Sequence, residues 1–261
     1  MKRLLVLLAF VPFIGNAQLL TSGKNIIKTN LSSIVMKNYH FTYERAILRN
    51  LSVSLSYRTM PTSSVPLNNA IEKYINNNIS ESQGNVKVAD FKMGGYAITP
   101  EVRLYLGLGR LKGFYVSGYY RMSKFDVSVP VSYTTTYSAN TFSKSTVVSG
   151  TVKGNAGGLM IGIQKNLAKF LVLDFWLIGG HYGSSKGDLT ATVTESFPGS
   201  LSSELSSAKQ VLEKTETKPF EFEYTTNPSG ATTATKGTIN GKSTGPWAGI
   251  RGAGICIGVR F

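Results

Sequence analysis

The chain has little of what supports chemistry at a protein surface: one cysteine, two histidines and 14 acidic residues in 261. The single cysteine, Cys256, excludes an internal disulfide. His40 and His181, with no Cys or Asp pair beside them, give no metal signature. No Gly-rich phosphate cradle is present, and no cofactor is implied. Long apolar runs are missing too. The best one past the N-terminal region, Phe170 to Gly180, is broken by Asp174, whereas a spanning helix needs about 20 apolar residues. A chain of this kind can cross a bilayer only as a closed sheet, because an open edge would leave backbone groups unpaired in lipid.

The N-terminus argues for export. Lys2 and Arg3 precede the short apolar run Leu4 to Phe13, and Gly15-Asn16-Ala17 offers small residues for cleavage before Gln18. Residues 1–17 read as a signal peptide, and the absence of Cys just after them speaks against a lipid anchor. Residues 18–261 then form one β domain. The 28 Lys and Arg leave a net charge of +14. In a cytoplasmic protein that excess would point to nucleic acid. In an exported one, nucleic acid drops out and the charge suits the phosphates of a lipopolysaccharide leaflet.

Period-two alternation recurs along the chain, the mark of strands with two unlike faces. Ile255, Ile257 and Val259 alternate with Gly254, Cys256, Gly258 and Arg260 and lead to Phe261. A closing strand of this form, ending on an aromatic residue, reads as a membrane-insertion signal. Leu51 to Arg58 alternates without exception, and Tyr39 to Glu44, Ile98 to Leu106, Phe114 to Arg121, Leu159 to Gln164 and Leu171 to Leu177 repeat the pattern less strictly. A weaker strand is read over Asn25 to Ile34, and the last over Trp247 to Phe261. The expected fold is an all-β, eight-stranded antiparallel transmembrane β-barrel, each strand of about the 9–11 residues a tilted membrane strand needs.

Connections alternate in length. Leu48–Asn50, Gly107–Gly113 and Lys165–Lys169 are short, whereas the links at about 62–90, 134–146 and 182–246 are long. Short turns on the periplasmic side and long loops outside is the barrel rule. Two loop segments have helical spacing. Leu67, Ile71, Tyr74 and Ile75 share one face, and Leu201, Leu205, Ala208 and Leu212 share another. These faces must cover the barrel mouth, each other or a partner. Val127 to Tyr137 and Lys144 to Lys153 keep alternating past membrane length, which predicts a hairpin projecting above the bilayer. Leu189 to Phe197 is expected to extend the seventh strand in the same way, with Thr232 to Ile239 returning alongside it.

Lys28-Thr29-Asn30, Phe41-Thr42-Tyr43-Glu44-Arg45, Leu51-Ser52-Val53 and Leu173-Asp174 carry a resemblance. The chain resembles the small outer-membrane barrels of the OmpA, OmpX and OmpW type, and looks most like an uncharacterised Bacteroidota relative. The resemblance covers the barrel and not the 182–246 insertion. It implies a bacterial outer-membrane location and contact with the barrel-insertion machinery, and it brings no activity with it.

Inward positions include Lys28, Arg58, Arg103 and Arg121 against Glu44, Glu101 and Asp174. Charges enclosed in a narrow lumen must pair, so these seven are expected to form an ion-pair plug. The same residues would serve a narrow gated pore. Trp247 is placed in the outer aromatic girdle with Tyr39, Phe41, Tyr57 and Tyr96. Arg251 is placed on the lipid-facing side below it, snorkelling to phosphates. His40 and His181 near the outer rim would suit a lipid-A-modifying enzyme only with a nucleophile and acid in reach. The reading that results is non-enzymatic: a surface-exposed interaction or structural component of the envelope, whose loops meet outer-membrane lipids and an envelope protein.

Overall fold

The computed structural model describes residues 23–64, 90–107, 109–214, 218–228 and 235–261. The signal segment 1–17 and the helical spacing over 66–78 lie outside the described residues. The elements are β1 (Asn25–Asn30), α1 (Leu31–Ile34), β2 (Tyr39–Ala46), β3 (Leu51–Ser64), β4 (Lys92–Tyr105), β5 (Gly113–Tyr137) and β6 (Asn140–Asn166), followed by β7 (Leu171–Thr194), α2 (Leu201–Lys214), β8 (Glu221–Pro228) and β9 (Lys236–Arg260).

All strands pair antiparallel, in the order β1 to β7, then β9, then β8, and β1 also pairs with β9. That last pairing closes the sheet into a ring through β1–β7 and β9. β8 is an addition that sequence alternation did not place. It runs along residues 237–244 of β9, above the stretch 256–260 that β1 occupies.

The alternating positions separate as their chemistry requires. Ser52, Ser54 and Ser56 face inward and are buried, whereas Val53, Leu55 and Tyr57 are exposed. The same split on every ring strand leaves an outer belt that includes Ile27, Phe41, Val102, Leu104, Phe114, Leu159 and Val259. So continuous an exposed apolar surface is foreign to a monomer in water. Tyr39, Phe41, Tyr57 and Tyr96 all belong to this outer surface.

Three expectations about boundaries change. β1 stops at Asn30, whose side chain accepts a hydrogen bond from the Ser33 amide at 3.0 Å and caps α1. The strand read to Ile34 is therefore cut short by an Asn cap, a favoured helix start. The link at 134–146 is a tight turn, because Tyr137 pairs with Asn140 across Ser138 and Ala139. Both turn residues take positive φ, 46° and 64°, the backbone of the two-residue hairpins that match strand twist. The 182–246 link is mostly regular structure, holding the ends of β7 and β9 together with α2 and β8.

β5, β6, β7 and β9 are 24 to 27 residues long, far more than the ring alone uses. Their far halves form an extension whose inner face turns apolar. Val131, Tyr133, Val148, Ala191, Val193 and Ile239 pack there against Leu201, Leu205, Ala208 and Leu212 of α2. The apolar face of that helix is thus covered by the chain itself. Glu204 anchors the helix, accepting from Ser200 Oγ at 2.7 Å, the Ser196 amide at 3.0 Å and Tyr133 Oη at 3.4 Å.

Candidate functional site

The ring interior is where the polar residues converge, and it has two halves. The half near the short turns is a charge network. Lys28 on β1 donates to Glu44 on β2 at 2.5 Å, to Asp174 on β7 at 2.7 Å and to Gln164 on β6 at 2.8 Å. Arg103 on β4 donates to Glu101 at 2.6 Å through Nε and to Asp174 at 2.7 Å through Nη1. Tyr105 and Ser52 donate to Glu44, and Tyr115 donates to Asp174. Every ring strand contributes a side chain, so a register slip of any strand would break the network. Space for it is made by small residues. A side chain at Gly258 would strike Lys28, and one at Gly162 would strike Tyr115.

The sixth charge is Arg251. Its Nη1 lies 3.1 Å from Glu101 Oε2, and its guanidinium stacks 4.2 Å from the Trp176 ring and 4.8 Å from the Tyr119 ring. This corrects the lipid-facing position expected from alternation. The physical cause is a change of phase in two adjacent strands. Leu177 and Ile178 on β7 are both exposed, as are Gly252 and Ala253 on β9, with Ala253 at φ 50°. The β6–β7 register shifts between Ile161 and Gly162, the signature of a bulge. Below it even-numbered β9 residues point inward; above it odd-numbered ones do. Ile255 and Val259 consequently keep their outward positions, and Arg251 does not.

The same phase change carries Trp247 inward. Its ring lies 5.3 Å from that of Phe125, and a Cβ added at Gly154 would strike it. The expected outward place is wrong for this residue, whereas the four others named with it are exposed on the outer surface of the ring. Phe261 stays at the short-turn end, where its backbone exchanges two 2.9 Å hydrogen bonds with Asn25.

The network membership also differs from the expected seven. Lys28, Arg103 and Arg251 face Glu44, Glu101 and Asp174, a neutral set in which each carboxylate touches a cation. Arg58 and Arg121 make no ion pair among the described residues. They lie in the other half of the lumen, toward the extension. Arg58 sits 5.6 Å over the Phe125 ring and faces His40 across β2–β3. Arg121 stands in one row with Ala156, Gly183 and Trp247. Both arginines face inward as expected, but the three acids of the network are held by Lys28, Arg103 and Arg251.

The two histidines belong to this second half. His40 packs edge-on to Trp176 at 5.1 Å. His181 Nδ1 lies 3.3 Å from Tyr119 Oη. Neither ring is hydrogen-bonded to a serine or a carboxylate among the described residues, so the nucleophile–base–acid relay of acyl transfer is not assembled around them. Cys256 is inward, buried and unpaired. No protein-family model matches the chain, and no curated protein matches it either.

Proposed function

We propose that the chain is a bacterial outer-membrane β-barrel of the OmpA, OmpX and OmpW type, and that it acts as a non-enzymatic surface interaction or structural component of the envelope. The observation that carries this reading is the pairing of an apolar outer belt with strands 24 to 27 residues long. Crossing lipid takes only about 9–11 of them. The remaining length builds the extension, a rigid sheet with α2 locked onto it, which stands clear of the bilayer. A scaffold that holds a stiff platform above a membrane serves binding.

The neutral charge network supports a closed lumen over a pore. The surroundings of His40 and His181 support a non-enzymatic role over lipid-A modification. The lipid-facing partners are outer-membrane lipids, with lipopolysaccharide outside. The protein partner is an envelope protein that meets the extension.

The test is topological. In whole cells, Ser138→Cys is labelled by a membrane-impermeant maleimide and Ala168→Cys is not, while wild-type Cys256 stays unlabelled. Mild detergent extraction then yields a complex with a stoichiometric companion that is lost when the 129–148 hairpin tip is shortened. Labelling of Ala168→Cys in place of Ser138→Cys would overturn the orientation, and a lone monomer would overturn the partner.

A further inference from the structure

The lumen half toward the extension is unlike the half that the charge network fills. The network needs Arg251 to reach neutrality, yet Arg251 directs only Nη1 at Glu101; its Nη2 is buried and unpartnered. Arg58 Nε and Trp176 Nε1 are also buried and unpartnered, and the Trp176 ring stacks on the Arg251 guanidinium. Orphaned buried groups of this kind are rare in folded proteins and imply a missing partner. Guanidinium and indole nitrogens only donate, so the partner they lack is an acceptor.

The charges say the same. Arg58 and Arg121 are half-buried on the inward face and make no ion pair among the described residues. Guanidiniums left uncompensated in a narrow lumen are costly. Small residues give the rings of this half their room: Gly154 backs Trp247, and Gly158 and Gly249 back His181, while Phe125 lies against Trp247. An eight-stranded ring has room for one small ligand and no more, which excludes a nucleic acid.

We propose that this half of the lumen is a binding chamber for a single phosphate-type oxyanion, held by Arg58, Arg121 and Arg251 with the indole N–H of Trp176. Planar guanidiniums present paired donors that match the oxygens of a phosphate and not a spherical halide. Arg58 and Arg121, being partly accessible, receive the ligand from the extension side, and the fully buried Arg103 and Glu101 form the floor. The proposal rests on the ring interior and is independent of the partner assigned to the extension.

The phosphate group has two sources, a free anion or the headgroup of a lipid. Isothermal titration of the full chain in neutral detergent, at constant ionic strength with chloride as the background anion, separates them. One arm uses inorganic phosphate and the other a single-chain alkyl phosphate below its micelle concentration. Saturable one-to-one binding of inorganic phosphate assigns a free anion. Binding of the alkyl phosphate alone assigns a lipid headgroup. Either must weaken by about tenfold or more in Arg58→Gln and again in Arg121→Gln, the size of one charge-assisted hydrogen bond. Neither substitution orphans a carboxylate, so both variants keep the folded gel mobility. The ligand raises the unfolding temperature of the wild type and not that of the double variant. No saturable binding in either arm, or binding that survives the double variant, overturns the proposal.

Discussion

Arg251 reaches from β9 across the ring to Glu101 on β4, placing Nη1 3.1 Å from Oε2. Glu101 holds Arg103 with its other oxygen, at 2.6 Å, so one carboxylate bridges two arginines that come from separate strands. Glu101→Gln leaves both of them short of charge in a fully buried setting. The expected loss is about 3–5 kcal/mol, the cost of breaking a buried ion pair from one side. Urea unfolding in detergent or vesicles measures it. The double variant Glu101→Gln/Arg251→Gln is expected to recover part of the loss, since one of the orphaned charges goes with it.

How far the sequence was legible is seen best on β9. Alternation counted back from Phe261 places Val259, Ile257 and Ile255 on the outer face, and the fold agrees. The count fails above Ala253 because it assumes one phase for a whole strand. Ala253 takes φ 50°, and nothing in an alanine announces that; only the flanking Gly252 and Gly254 hint at a place where the backbone can turn over. Arg251 and Trp247 are misplaced by this one step. β8 was missed although Phe220, Phe222 and Tyr224 alternate with Glu221 and Glu223, a signal hidden inside a segment read as loop. Lys28, Glu44, Glu101, Arg103 and Asp174 were legible because polar residues on an inward face of a closed ring have only one another to meet. Which acid meets which base depends on cross-ring distances that no strand pattern encodes.

The inward position of Trp247 has an optical consequence. The chain has two tryptophans. Trp176 faces the lumen beside Arg251, and Trp247 faces it beside Phe125. In bilayers of brominated lipid, tryptophan emission is expected to stay close to its value in ordinary lipid, because bromine quenches on contact and both indoles lie inside the ring. Strong quenching would return Trp247 to the outer face.

The extension has its own core, so it should fail by itself. Leu205 is buried against the inner face, and its side chain fills the space above Gly237. Leu205→Ala is expected to cost that core about 2–5 kcal/mol, the range for deleting a buried leucine. Limited proteolysis should then cut within α2 while the ring persists as a protected fragment. Simultaneous loss of both would show that the extension and the ring fold as one unit.

Alkali should release the same helix. Burial and the Glu204 carboxylate push the Tyr133 hydroxyl up from 10.0 to about 12. Below pH 10 the folded and unfolded states both hold the proton, and the interaction contributes fully. Between pH 10 and pH 12 the unfolded chain gives up its proton first, so stability falls as pH rises through that window. Denaturant unfolding of the extension across it should show a steeper loss for the wild type than for Tyr133→Phe. Equal slopes would mean that Tyr133 does not meet Glu204.

A membrane barrel built on this ring turns one face to lipid and the other only to protein. A nitroxide scan along Leu51 to Arg58 in reconstituted bilayers, reading relaxation by oxygen at each position, separates the two faces. High oxygen access is expected at Val53, Leu55 and Tyr57 and low access at Ser52, Ser54 and Ser56. On β9 the pattern should change phase between Ile250 and Ile255. A flat profile, or one in which the serines are the lipid-exposed set, would contradict a membrane barrel built on this ring.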